Sequence, residues 1–183
     1  MTQLTTADTQ SHSSPDVPVW NLNDLYQGPD DPAVEKDLEA SETEARAFQS
    51  KYAGKLAELD GAGLGQAVKH YEVILERAFK VISYAQLLHA ANTADQDIAR
   101  FHQFCQERVN GITGSTLFFA LELNRIDDAE IEKKLGDPGL VRYRPWIEAE
   151  RQMRPYQLGE DLEQLLHDKS VTGLSAWARL FDE

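Results

Sequence analysis

Cysteine is nearly absent from this sequence. Cys105 stands alone among 183 residues, so no disulfide can close within the chain and nothing points to an oxidising compartment. Positive charge is scarce as well: 18 Lys and Arg face 31 Asp and Glu, a net charge of −13 at neutral pH. That balance argues against nucleic acid and against an anionic membrane surface as partners. Long apolar runs are missing, the longest being Leu117 to Leu121, far short of a spanning helix. Residues 1–18 are polar and lack both a basic stretch and an apolar core, which excludes a secretory signal. They read as a disordered polar tail, and the compartment this leaves is the cytoplasm.

What is present has the composition of a globular protein, 42% hydrophobic and 27% charged. No segment alternates with period two, and no internal repeat of solenoid length occurs. Order is expected from Val19-Trp20 onward, with Trp20, Leu22, Leu25 and Tyr26 as a short apolar anchor ahead of the turn at Gly28-Pro29-Asp30-Asp31. Asp31 suits an N-cap and Pro32 a first helical position. Val34, Leu38, Ser41, Ala45, Phe48 and Tyr52 then recur at spacings of three and four, the buried stripe of a first helix whose acidic face is solvated. Gly61, Gly63 and Gly65 are expected to break it from a second helix. No strand precedes them, so they are not a phosphate loop. The second helix is predicted from about Leu64 to Ala91, its stripe running through Val68, Tyr71, Leu75, Ala78, Ile82, Ala85 and Leu88. Thr93 and Gln96 suggest a capping box for a third helix with Ile98, Phe101, Cys105, Val109, Ile112, Thr116, Phe119 and Leu123 inward. Shorter helices are expected over Asp127 to Leu135, 140–153, 159–169 and from 174 onward. The fold class is therefore all-α: an antiparallel bundle of three long helices followed by several short ones.

The chemistry-bearing residues are sparse. His12, His70, His89, His102 and His167 fall in no H-E-x-x-H and no E-x-x-H pattern, so no metal ligands are assigned. His102 and Cys105 offer two ligands where zinc needs three or four, and Cys105 on an apolar stripe reads as an inert core thiol. No catalytic, cofactor-binding or metal residue is assigned in this chain. One basic feature stands out: Arg142-Tyr143-Arg144-Pro145-Trp146, continuing through Arg151, Arg154, Pro155 and Tyr156, with Glu148 and Glu150 between. The favoured reading pairs these arginines with surplus acids of the same chain. The alternative is an independent helical module docking an acidic protein partner through this patch.

An ordered set of short motifs carries a resemblance. Trp20-Asn21-Leu22-x-Asp24-Leu25-Tyr26 comes first, then Tyr84-Ala85-x-Leu87 and Leu117-Phe118-Phe119-x-Leu121-Glu122-Leu123-Asn124. Tyr143-Arg144-x-Trp146-Ile147-Glu148 and Arg154-Pro155-Tyr156-Gln157-Leu158 follow. The last stretch is Leu165-Leu166-x-x-Lys169-x-x-Thr172-Gly173-x-x-Ala176-Trp177-x-Arg179-Leu180-Phe181-Asp182-Glu183. From Trp20 to Glu183 the chain resembles the amino-terminal region of the oligoendopeptidase F family, among the thimet-oligopeptidase-like zinc metallopeptidases. The resemblance implies a cytoplasmic, helical enzyme that cleaves short peptides in a deep channel. Its zinc ligands and general base would lie in a carboxy-terminal catalytic lobe absent from this chain. On that reading residues 19–183 are a non-catalytic helical lobe, inactive alone, forming one wall of the channel. The end at Phe181-Asp182-Glu183, inside an amphipathic helix, reads as a boundary within a longer protein. Trp177, Leu180 and Phe181 share one side of that helix, from which weak self-association is expected.

Overall fold

The computed structural model describes residues 20–182, so the expected tail at 1–18, together with His12, lies outside the described residues. Among the described residues there is no strand, and eight α-helices follow one another; the all-α expectation holds. Helix α1 (Pro32–Tyr52) starts where its chemistry dictates. The Asp31 carboxylate accepts the N–H of Ala33 at 2.9 Å and that of Gln27 at the same distance, and Pro32 fills the first turn. Those two N–H donors hold the Asp31 carboxyl below its ordinary range. The buried residues of α1 are Val34, Leu38, Ser41, Ala45, Phe48 and Tyr52, the stripe read from spacing alone.

Helix α2 (Gly61–Ala91) begins three residues earlier than expected, so the three glycines sit in its first turns rather than in a linker. Asp60 caps it by accepting the N–H of Gly63 at 2.7 Å. The glycines are there because another backbone lies against them. A Cβ on Gly61 would come within 2.6 Å of the Lys134 carbonyl oxygen, and one on Gly65 within 3.0 Å of the Gly139 carbonyl oxygen. The buried stripe of α2 is also rotated from the expected one. Ile74, Val81 and Tyr84 are buried with Val68, Ala78 and Ala85, whereas Tyr71, Leu75, Ile82 and Leu88 are only partly covered. The reason is that α2 is flanked by α1, α3 and the later short helices, so its buried arc is wider than one stripe.

Helix α3 (Gln96–Arg125) is capped by Asp95, which accepts from Asp97 and Ile98, not by the Thr93–Gln96 box. A charged acceptor directly ahead of the first turn also meets the helix dipole, which a threonine hydroxyl does not. Side-chain contacts fix the directions. Asp37 and Phe48 of α1 meet Lys80 and His70 of α2, and Tyr84 and Tyr71 of α2 meet Phe101 and Phe119 of α3. Helix α2 therefore runs antiparallel to both neighbours. Of the expected amino-terminal anchor, Tyr26 is buried and donates to Asp37 at 2.7 Å, while Trp20 is 82% exposed and anchors nothing.

After α3 come α4 (Asp128–Lys134), α5 (Pro138–Val141), α6 (Arg144–Gln152), α7 (Glu160–Ser170) and α8 (Leu174–Asp182). The single helix expected at 140–153 is two, interrupted at Arg142-Tyr143, because Pro145 has no N–H to donate to the carbonyl four residues back at Val141 and fits only the first turn of a new helix. Helix α6 brings Trp146 onto the bundle, stacked on Phe119 with ring centroids 6.4 Å apart. Phe119 in turn touches Phe48 and Tyr71, at 5.1 and 4.9 Å, and these rings make the centre of the core. Lys134, almost fully buried, donates its amine to the carbonyls of Ala57 and Leu59, joining α4 to the 3₁₀ turn before α2.

Candidate functional site

The basic segment expected to be either self-paired or a docking patch is self-paired. Arg142 donates to Glu72 at 3.1 Å and to the Tyr143 hydroxyl. Arg144 holds Glu132 at 2.9 Å and Glu148 at 3.3 Å. Arg154 reaches Asp128 at 2.9 Å, and Arg151 meets the same carboxylate. Arg151 does more, donating to the Leu123 and Ile126 carbonyls at 2.6 and 2.7 Å. These are groups at the carboxy-terminal end of α3 that lack a helical partner, so a nearly buried guanidinium closes that helix. The two arginines together hold the Asp128 carboxyl below its ordinary value. A surface whose four cations already have anions has little to offer an acidic partner.

The described histidines do not converge on one site. His70 lies edge-on to Phe48, His89 stacks on His102 with centroids 5.1 Å apart, and His167 belongs to the joint between α7 and α3. Cys105 is fully buried, and burial pushes its thiol up to about 12, so it is not a nucleophile at neutral pH. Among the described residues no three His, Cys, Asp or Glu side chains converge as a metal site. A groove of about 570 Å³ beside α2 and α4 is lined by Glu58, Asp60, Glu130, Lys133 and Asp137. It holds no histidine, serine or cysteine for acyl or proton transfer.

The feature that sequence reasoning did not foresee is the orientation of α7. Its polar residues face inward. His167 Nε2 lies 3.0 Å from the Asn110 carbonyl oxygen and 3.1 Å from Thr113 Oγ1. A carbonyl only accepts, so Nε2 carries the proton and donates. Ser170 donates to Asn110 Oδ1 at 3.2 Å. The helix can approach because α3 offers Gly114 there: a Cβ at that position would sit 3.3 Å from Gln164 and His167. The leucines face outward. Leu158, Leu162, Leu165 and Leu166 are each about half exposed. Helix α8 continues the pattern, with Ser175 and Ala176 partly covered while Leu174, Leu180, Trp177 (70%) and Phe181 (90%) are exposed. Two consecutive amphipathic helices thus turn their large apolar faces to solvent, an area no scattered surface leucine explains. The spacing of the leucines was the available signal, but spacing does not say which side of a helix the rest of the chain covers.

No helix among the described residues is long and apolar enough to cross a membrane. Residues 122–183 match a family model described as Oligopeptidase F, that of the family's amino-terminal domain. The match bears out, over the last third of the chain, the resemblance read from the motifs. No curated protein and no solved structure gives a significant match.

Proposed function

We propose that this chain is the amino-terminal helical lobe of an oligoendopeptidase F-like zinc metalloendopeptidase of the cytoplasm, where it forms one wall of the channel that admits short peptides. The observation that carries the reading is the oligopeptidase F match over residues 122–183. A wall needs rigid helices and no reacting groups, in keeping with a chain whose Arg142, Arg144, Arg151 and Arg154 are paired internally and whose lone thiol is buried. The described residues do not themselves fit a zinc ion, so no catalytic step is assigned to them. In the resembled enzymes zinc supplies a Lewis acid and an activated water, and its ligands would come from a carboxy-terminal lobe.

Two measurements test this reading. The reading frame beyond codon 183 is expected to reach an H-E-x-x-H helix. A quenched fluorogenic peptide is expected to be hydrolysed only when that region is joined to this chain. Stoichiometric zinc and chelator-sensitive turnover by residues 1–183 alone would overturn the reading, as would a frame that contains no zinc motif.

A further inference from the structure

Helix α7 meets the bundle through polar and small groups. None of its residues is fully buried. The strip of α3 beneath it is Asn110, Thr113 and Gly114, and the groups that lie on that strip are Gln164, His167 and Ser170. Helix α8 packs on α7 in turn. The connection ahead of α7 divides between two neighbouring residues. Gln157 Nε2 donates to the Leu121 carbonyl at 3.2 Å, which ties Gln157 to α3. The Leu158 N–H donates to the Glu163 carboxylate at 2.8 Å, which ties Leu158 to α7. Gly159 follows in extended conformation, with open space where a side chain would stand. The Arg125–Glu160 pair spans the same joint, but both side chains are about half exposed, and such pairs hold weakly.

We infer that α7 and α8 form an arm that leaves α3 as one unit, hinged at residues 157–159, while α1 to α6 stay packed. Leaving α3 gives up hydrogen bonds that water replaces. The α7 leucines are half exposed already, so the step takes little apolar surface out of cover. Helix α6 is held in the opposite way. Ile147 is fully buried, Trp146 stacks on Phe119, and Arg151 closes the end of α3. The line between what stays and what moves therefore falls after Gln157. The arm is independent of the lobe reading and of whatever meets its outward face.

Hydrogen exchange of the 183-residue chain is the first test. The α7 amides are expected to exchange at least about a hundredfold faster than those of the buried stretches of α2 and α3. Gly114→Leu, a wedge under Gln164 and His167, is expected to speed α7 at least about tenfold and to leave α1 and α2 unchanged. Asn110→Ala, which removes the acceptor of Ser170, is expected to act in the same direction with a smaller effect. Nitroxide labels on Ser83→Cys and Lys169→Cys, both exposed, then report displacement, since Cys105 is buried and stays unlabelled. One docked distance and one longer distance are expected, the longer gaining in both variants. Exchange of α7 at the rate of the bundle would overturn the inference, because the helix would then open only with the whole fold. So would α7 exchange that neither variant alters, which is fraying in place, or a longer distance that vanishes on dilution with unlabelled chain, which lies between molecules.

Discussion

The three long helices and the last two short ones are built on opposite plans. In α1, α2 and α3 the large side chains point inward: Phe48, Leu64, Ile74, Phe119 and Leu123 are fully buried, and the charges stay outside. In α7 and α8 the polar and small side chains point inward and the leucines, Trp177 and Phe181 stay outside. Amphipathicity is as clear in one region as in the other. What differs is whether the chain itself supplies the covering surface. The bundle completes its own core, whereas α7 is held by a few hydrogen bonds beside Gly114 and, with α8, leaves its apolar area for something else.

The sharpest way to break this comparison is to remove one ring from each region. Phe119→Ala, in the centre of the aromatic core, is expected to cost on the order of 3–5 kcal/mol in urea melts. The same truncation at Phe181 belongs with the smallest effects below. A similar loss at both positions would mean the α8 face is covered after all.

Next in size is the thiol. Burial raises Cys105 from 9.0 to about 12, so the folded state favours the protonated form. The stability this gives is complete below pH 9 and is lost as pH rises towards 12. At pH 8 the folded chain is expected to react with an aromatic disulfide reagent at least about a hundredfold more slowly than the urea-unfolded chain. A fast reaction without unfolding would show that the α1–α3 contact around Cys105 opens readily.

Between the two regions stands Arg151. Arg151→Ala leaves the Leu123 and Ile126 carbonyls without their donor and is expected to cost about 1–3 kcal/mol. Its partner Asp128 has a lowered carboxyl pKa, so its contribution is present above the ordinary value of 3.8 and disappears as pH falls through that value and below. Asp128→Asn is therefore expected to lower stability slightly at neutral pH, where the carboxylate is ionised and paired, and hardly at all well below pH 3.8, so that the acid limb of the profile flattens. An unaltered acid limb would remove Asp128 from the account of how α6 is held.

The smallest effects should come from exposed positions. Lys51→Ala on the outer face of α1 and Phe181→Ala are each expected to change stability by about 0.5 kcal/mol or less. A larger loss at Lys51 would mean that its amine, 4.7 Å from the Tyr52 ring centre, contributes more than an exposed cation usually does.

The legibility of the sequence follows the same division. The α1 stripe was readable residue by residue because α1 meets its neighbours with one narrow face. The α2 stripe was displaced because several elements press on that helix and periodicity reports only an average direction. Gly61 and Gly65 looked like punctuation because glycine breaks helices, yet here they admit the backbones of Lys134 and Gly139. Trp20 was expected inside on size alone, and nothing local covers it. The arginine segment was legible as basic, and its pairing was favoured, but its partners Glu72, Asp128 and Glu132 lie on two other helices, α2 and α4. The inward polar face of α7 was not legible at all, since it depends on a glycine and an asparagine fifty residues away.

The Lys134 amine has a use that its hydrogen bonds do not advertise. Amines react with acylating reagents only when they are free in solvent, and this one is spent on the carbonyls of Ala57 and Leu59. Brief acylation followed by mass mapping should therefore modify Lys51, Lys69 and Lys133 and leave Lys134 blank. A mark at Lys134 then records that α4 has parted from the turn ahead of α2, which makes this one lysine an internal clock for the opening of the protein's second half.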